Sequence, residues 1–203
     1  MPESSCLPRE RGRPRQFDTA AAIDRAMLVF REKGYHSASI SDLCAAMELT
    51  AGSLYKAFTD KRGLFLQAFE RYTSMRNLTL RQRLDQQPDG RARITELLRF
   101  YLESASEVEG RRGCLVVGSA IESQVLDQEL AAVVRDALQR NLLSLIALIE
   151  TGQQDGSIAK RQDAQTLGGV LLCLVLGMRV AGKVPDLLPA QAAMIATVLT
   201  LLD

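Results

Sequence analysis

The amino-acid sequence predicts an all-α fold of about nine helices, and three observations carry that expectation. Apolar residues recur at i, i+3, i+4 and i+7 through almost every segment, while no stretch alternates with the period of two that a half-buried strand requires. Breaks fall at helix-length intervals on residues that stop or open helices: Gly34, the run 86–90 (QQPDG), the glycines 152 and 156, and the run 182–185 (GKVP). The composition, 47% apolar and 24% charged over 203 residues, is that of an ordinary globule. Such a chain supports a sizeable core without disulfides or metals, and the balance excludes a mostly disordered chain.

Taken in order, Asp18 or Thr19 caps a first helix whose buried face is Ile23, Ala26, Met27 and Phe30. Lys33 lies in its last turn and Gly34 just beyond, the charge and the residue type expected at a helix stop. Ser39 opens a second, short helix, with Asp42 as a capping-box partner and Ile40, Leu43, Cys44 and Met47 on one face. Thr50 caps a third over AGSLYKAF, with Leu54 and Phe58 inward and Leu49 stapled to Leu54. Thr59 is expected to cap a fourth helix from Asp60 to Leu84, with the stripe Leu64, Phe65, Ala68, Phe69 and Tyr72. A fifth, begun by Ile94, Leu97, Leu98 and Tyr101, is expected to close at Glu109 and Gly110. A short apolar element follows from Gly113 to Glu122, then a long helix from Asp127 to Glu150 with a turn over Gly152 to Gly156. The last two helices span Ala164 to Val180 and Pro189 to Leu202.

Charge divides unevenly along this plan. Residues 1–83 carry 14 Lys/Arg against 9 Asp/Glu, and residues 84–203 carry 11 against 15. The overall charge of +1 therefore hides a basic first part, suited to a polyanion, and an acidic remainder. Six Phe, four Tyr and no Trp argue against a carbohydrate cleft built on stacked rings. The four cysteines (Cys6, Cys44, Cys114, Cys173) form no CxxC, which fits a reducing compartment, and with a single histidine, His36, a zinc site is not expected. The longest uncharged apolar run, 167–178, is shorter than the roughly 17–25 residues of a membrane span. The first 18 residues lack the apolar segment of a secretory signal, so the expected location is the cytoplasm, without membrane attachment. No Ser/His/Asp set, phosphate-cradling glycine loop or metal-spaced carboxylate pair appears, and no cofactor is expected; the reading is of a protein that is not an enzyme.

The segment from Ser39 to Phe58 holds the sharpest chemistry. Two short helices joined by a tight turn form a helix-turn-helix, in which the second helix lies in the DNA major groove. Thr50, Gly52, Ser53, Tyr55 and Lys56 put hydroxyls, a phenol, an ammonium and a bare backbone on the face away from Leu54 and Phe58. Hydroxyls and N–H groups at a helix N-terminus suit phosphate oxygens, and Lys61 is placed to neutralise another. The plain alternative is the polar surface of a helical hairpin.

The order F-x-x-x-G-Y-x-x-x-S-I-x-D-L over 30–43 and L-T-x-G-S-L-Y-x-x-F over 49–58, continued by Lys61 and Leu64-Phe65, resembles the DNA-binding domain of TetR-family transcriptional regulators. The resemblance covers about 50 residues and implies a three-helix head on a divergent helical body that dimerises and often binds a small effector. By position it implies DNA contacts from Thr50, Gly52, Ser53, Tyr55 and Lys56, and phosphate contacts from Ser39 and Lys61. Many relatives have His where this chain has Ala57, so one frequent backbone contact is missing. The leader R-G-R-P-R also resembles the Gly-Arg-Pro core of an AT-hook, with Arg11, Arg13 and Arg15 entering a narrow minor groove; alone it reads equally well as a solubilising tail.

The expected organisation is thus a basic arm over 1–15, a DNA-binding domain over 16–62 and an effector-binding and dimerisation domain over 63–203. The expected activity is repression from a palindromic operator, relieved by a small molecule. Phe65, Phe100, Tyr101, Val117, Ile121 and Met178 are candidates to line the effector cavity, although each also fits plain core. The segment G-C-L-V-V resembles a TetR subgroup in which some members sense electrophiles or oxidants through a cysteine. Cys114, after Arg111 and Arg112, is accordingly a candidate reactive thiol, with a small buried side chain as the alternative. In this family the last two helices of each protomer commonly form a four-helix dimer interface, which implies a homodimer here.

Overall fold

The computed structural model describes residues 18–203; the basic arm with Arg11, Arg13 and Arg15 lies outside the described residues. Among the described residues the fold is all-α: α1 (Thr19–Ser37), α2 (Ile40–Met47), α3 (Ala51–Phe58), α4 (Lys61–Leu84), α5 (Gly90–Ser104), α6 (Glu107–Arg112), α7 (Leu115–Ile121), α8 (Gln128–Asp155), α9 (Ala164–Ala181) and α10 (Gln191–Leu199), closed by one 3-10 turn (Thr200–Leu202).

Local chemistry sets the ends of the first three helices as the sequence predicts. The Asp18 carboxylate accepts from the N–H groups of Ala20 and Ala21. Ser39 and Asp42 close a reciprocal capping box, and the Thr50 hydroxyl accepts from the Ser53 N–H. Regular α1 geometry stops at Gly34, whose φ of 81° only glycine adopts without strain, and one further turn follows the kink. At α4 the expected cap is displaced by one residue. Asp60 accepts from the Gly63 N–H at 2.7 Å, and Thr59, at φ 69°, ends α3 instead.

Two further boundaries differ for a tertiary reason. The expected fifth helix is two, α5 and α6, broken at Ala105 and Ser106. The break folds α6 back until a Cβ on Gly110 would lie 2.3 Å from the Ala105 carbonyl oxygen and 2.6 Å from that of Gly182. Three backbones meet there, which a continuous helix would prevent. The turn expected at Gly152 is likewise absent; α8 runs through it to Asp155 and stops at Gly156, φ 82°. Gly152 is buried against the start of α5, where a Cβ on Gly90 would fall 2.3 Å from the Gly152 Cα.

Two apolar cores result. The first packs Phe30, Leu43, Leu54, Phe65 and Phe69 with Leu115, Leu130 and Val134, so it runs continuously across the 62/63 boundary and ties the head to α4, α7 and the start of α8. The second joins α5, the latter half of α8, α9 and α10 through Leu98, Ile149, Leu171, Val175 and Leu202. By length and composition alone α9 is apolar enough to cross a membrane, yet it sends Leu167, Leu171, Val175 and Met178 into this second core. On α10 and the turn after it, Val198 and Leu202 are buried in the same core, and the partly buried Met194 and Ile195 pack against it. Large apolar side chains left exposed near this end include Leu143 on α8, Val170 and Val180 on α9, Val184 and Leu187 in the connection after it, and Leu201 in the closing turn.

Candidate nucleic-acid interface and body cavity

The α2–α3 pair stands at the surface with its apolar side down. Leu54 and Phe58 are buried, which turns Thr50, Gly52, Tyr55 and Lys56 outward, with Ser53 half-buried between them. Tyr55 is 47% exposed, a large exposure for an aromatic side chain. Lys56 makes no ion pair with another described residue, whereas Arg25 and Lys33 are taken by Glu48 and Asp42. Ser39 is exposed, but its hydroxyl is shared with Ser41 and Asp42. Lys61 is turned toward the head itself. Its ammonium donates to the His36 carbonyl at 3.1 Å and lies 4.8 Å from the centre of the Tyr35 ring; burial lowers its pKa, opposed by Glu122.

The head is fixed to the body by polar contacts that sequence reading missed. Arg31, almost wholly buried, donates from Nε (3.0 Å) and Nη2 (2.8 Å) to the Gly113 carbonyl, and from Nη2 to Glu109 Oε2 at 2.8 Å. Glu122, at the end of α7, accepts the Tyr35 and His36 N–H groups at 2.9 and 3.3 Å. Arg62 bridges to Asp127 at 3.0 Å and to Glu129 at the start of α8. Two more carboxylates of this region are paired, Glu103 with Arg83 and Glu109 with Arg31 and Arg112.

Inside the body, α4, α5, α7, α8 and α9 enclose a small chamber of about 30 Å³. Phe100, Tyr101 and Val117 line it, three of the six residues expected to do so. The other three lie elsewhere. Phe65 is completely buried in the first core, Met178 belongs to the second, and Ile121 is 72% exposed at the end of α7. Periodicity assigns a residue to a face of its own helix but not to the neighbour opposite, which is why these three fall outside. Cys114 also lines the chamber, with Arg76 and Arg179. Burial pushes its thiol up, but the Arg179 guanidinium, the Tyr72 hydroxyl, the Val117 N–H and Arg76 together outweigh it and hold the thiol below its ordinary value. Tyr72 is driven the other way, to about 12, by burial first and then by Cys114.

Arg179 had a signal in the sequence. Arg179 continues the row Leu167, Leu171, Val175 at a spacing of four, so a charge sits where the helix has only apolar neighbours.

A helix-turn-helix with its second helix facing outward, carried on a helical body with an internal cavity, defines a DNA-binding regulator. A family model described as bacterial regulatory proteins, tetR family, matches residues 22–68, and one described as tetracyclin repressor-like, C-terminal domain, matches residues 90–195. The chain is 33% identical over 120 residues to an HTH-type transcriptional regulator of Bacillus subtilis, YezE; this stretch is 59% of the chain and 62% of that protein's length. It is 24% identical over 181 residues to the HTH-type transcriptional repressor ComR of Escherichia coli, covering 89% and 86% of the two chains. Among solved structures, a cysteine mutant of the TetR family regulator CifR, complexed with 26-bp double-strand operator DNA, superposes with a TM-score of 0.77 at 34% identity, over 95% of this chain and 100% of that one. The protein belongs to the TetR family of bacterial transcriptional regulators.

Proposed function

We propose that this protein is a cytoplasmic, homodimeric repressor that reads a palindromic operator through α3 and is released when a small molecule occupies the body cavity. The observation that carries the reading is the outward face of α3, with Thr50, Gly52, Ser53, Tyr55 and Lys56 held clear of the core by Leu54 and Phe58. The N-terminal arm adds Arg11, Arg13 and Arg15 to the minor groove, and Ser39 and Lys61 reach flanking phosphates, Lys61 by exchanging the His36 carbonyl for a phosphate oxygen. The last two helices, α9 and α10, supply the two-fold interface, with Val170 and Val180 among the apolar side chains they leave exposed. A two-fold dimer requires an operator of matching symmetry.

Release works through the strip from α6 to α7. Cys114, Val116 and Val117 on this strip wall the chamber, while the Gly113 carbonyl and Glu122 on the same strip hold α1 and the turn after it. A ligand that prefers a displaced strip therefore moves the head, and it shifts the equilibrium only by its difference in affinity for the two positions. The test is binding of the purified protein to its own upstream DNA, titrated at several salt concentrations against unrelated competitor, because affinity without salt is uninterpretable. Competitor-resistant binding with a symmetric footprint is expected; weak binding that ignores sequence, there and in selection from random DNA, sinks the reading.

A second reading has one observation in its favour, the lowered pKa of Cys114 beside Arg179. Here modification of the thiolate by an electrophile or oxidant replaces reversible ligand binding as the trigger. A Cys114→Ser variant that still releases DNA in response to the reagent rules it out.

A further inference from the structure

Arg179 presents the strongest unsettled chemistry in the body. Its side chain is 1% exposed, and none of its three guanidinium nitrogens has a hydrogen-bond partner among the described residues. Arginine cannot shed its proton in a protein, so its charge is retained inside the core and demands a counter-charge. No carboxylate among the described residues forms an ion pair with Arg179. Glu96 and Glu103 on α5 are already paired with Arg83 and Arg99, and the chamber lining contains three arginines and no Asp or Glu.

The surroundings describe what would fit. The second arginine, Arg76, lies 4.7 Å from the centre of the Phe100 ring and 5.8 Å from that of Tyr101, and its Nη2 donates to Ser104 Oγ at 3.1 Å. The chamber, at about 30 Å³, has room for about two waters or one group of similar size. It shares Leu80, Tyr101 and Val175, and the polar Asn77, Arg140 and Asn141, with a larger groove of about 530 Å³ whose wall sets leucines of α4, α5, α8 and α9 beside Arg81, Asp85 and Arg93. A small cationic chamber thus adjoins a larger groove that offers leucine surface along with polar groups.

We propose that this cavity binds a small organic monocarboxylate, its carboxylate seated on Arg179 and its apolar body passing Phe100 and Tyr101 into the leucine-lined groove. The planar fork of a guanidinium matches a carboxylate two bonds at a time, which gives the site orientation as well as charge. The assignment rests on the reading of the body as the effector-binding part and names the ligand class for it. The competing partner within the chain is Cys114, whose thiol also lines the chamber.

The test pairs charge with shape. Benzoate, phenylacetate, hexanoate and octanoate are each compared with their neutral amides by thermal shift and calorimetry on the full chain, in wild type, Arg179→Met and Cys114→Ala. The acids are expected to bind and the amides not. Arg179→Met, which removes an unpaired buried charge and so folds at least as well, is expected to weaken the best acid by about tenfold or more. Cys114→Ala is expected to stay within about threefold, because the carboxylate and not Cys114 answers Arg179. Equal binding of acid and amide, full binding in Arg179→Met, loss of binding in Cys114→Ala, or no response to any of the four acids overturns the proposal. Operator binding is measured separately. An acid that binds through Arg179 without releasing DNA leaves this site standing and removes the effector reading, whereas a DNA-binding protein blind to all four acids does the reverse.

Discussion

Arg31, in the first helix of the head, donates both Nε and Nη2 to the carbonyl oxygen of Gly113, the residue that precedes Cys114 in the chamber wall. One peptide group thus separates the contact that orients the head from the side chain that faces the cavity. Replacing Arg31 with Met leaves that carbonyl without its donor and Glu109 without its partner. The expected cost is about 1–3 kcal/mol, at the lower end because Glu109 is half exposed, and it is read by chemical denaturation. The variant is also expected to uncouple ligand from DNA, so that ligand binding persists while ligand-induced release is blunted.

Gly34 and Glu48 test the backbone in opposite directions. A Cβ on Gly34 requires L-residue strain at φ 81° and would fall 2.0 Å from Glu122 Oε1, displacing the carboxylate that holds the Tyr35 and His36 amides. Gly34→Ala is expected to lower stability by about 1–2 kcal/mol from the backbone alone, with more from the lost clamp. Glu48, exposed at φ 57° and ψ 39° between α2 and α3, carries the strain already. Glu48→Gly is expected to be neutral or to stabilise by up to about 1 kcal/mol, read as a higher melting temperature.

Asp42 gives the head an acid limit. The Lys33 ammonium at 2.7 Å, then the Ser39 hydroxyl and N–H, hold its carboxyl at about 2 instead of 3.8. A depressed folded-state pKa stabilises the native state above the ordinary value, and that contribution disappears as pH falls from 3.8 toward 2. Titration of Asp42 by NMR is expected to show an upward shift in both Lys33→Met and Ser39→Ala, larger in the former. No shift in either would mean that the capping box does not hold the charge.

On α3, Tyr55→Ala removes an exposed ring and is expected to change stability by less than about 0.5 kcal/mol. Its effect on operator affinity is expected to be about 1–3 kcal/mol. Lys56→Ala is expected to weaken specific and competitor DNA alike and to reduce the salt slope by about 1. If Tyr55→Ala binds the operator as well as the parent, α3 is not the reading helix.

For Cys114, the rate of alkylation against pH is expected to rise with a midpoint below that of an ordinary thiol, because Arg179 favours the thiolate against the penalty of burial. Arg179→Met is expected to move that midpoint up. An unchanged profile in the variant would remove the arginine from the thiol's environment and with it the case for a cysteine trigger.

The head was largely legible in the sequence because its design is local. Asp18, Ser39 and Thr50 cap helices through atoms two or three residues away, Gly34 stops α1 through its own φ, and Leu54 and Phe58 share a face at a spacing of four. Each of these relations lies within one helical turn, and periodicity and capping rules describe that range.

The body answered to forces that act between distant segments. Where α5 breaks depended on Gly110 meeting Ala105 and Gly182, and why α8 continues through Gly152 depended on Gly90, some sixty residues earlier. The sequence by itself determined the all-α class, the reading head and the family; tertiary structure decided which apolar residues line a cavity and which fill a core. It also decided that Lys61 turns toward His36 and that Arg179 is buried among α4, α5, α7, α8 and α9 with no hydrogen-bond partner among the described residues. Burial and hydrogen bonding are pairwise properties of residues brought together by folding, so a residue's own position along one helix fixes only half of each pair.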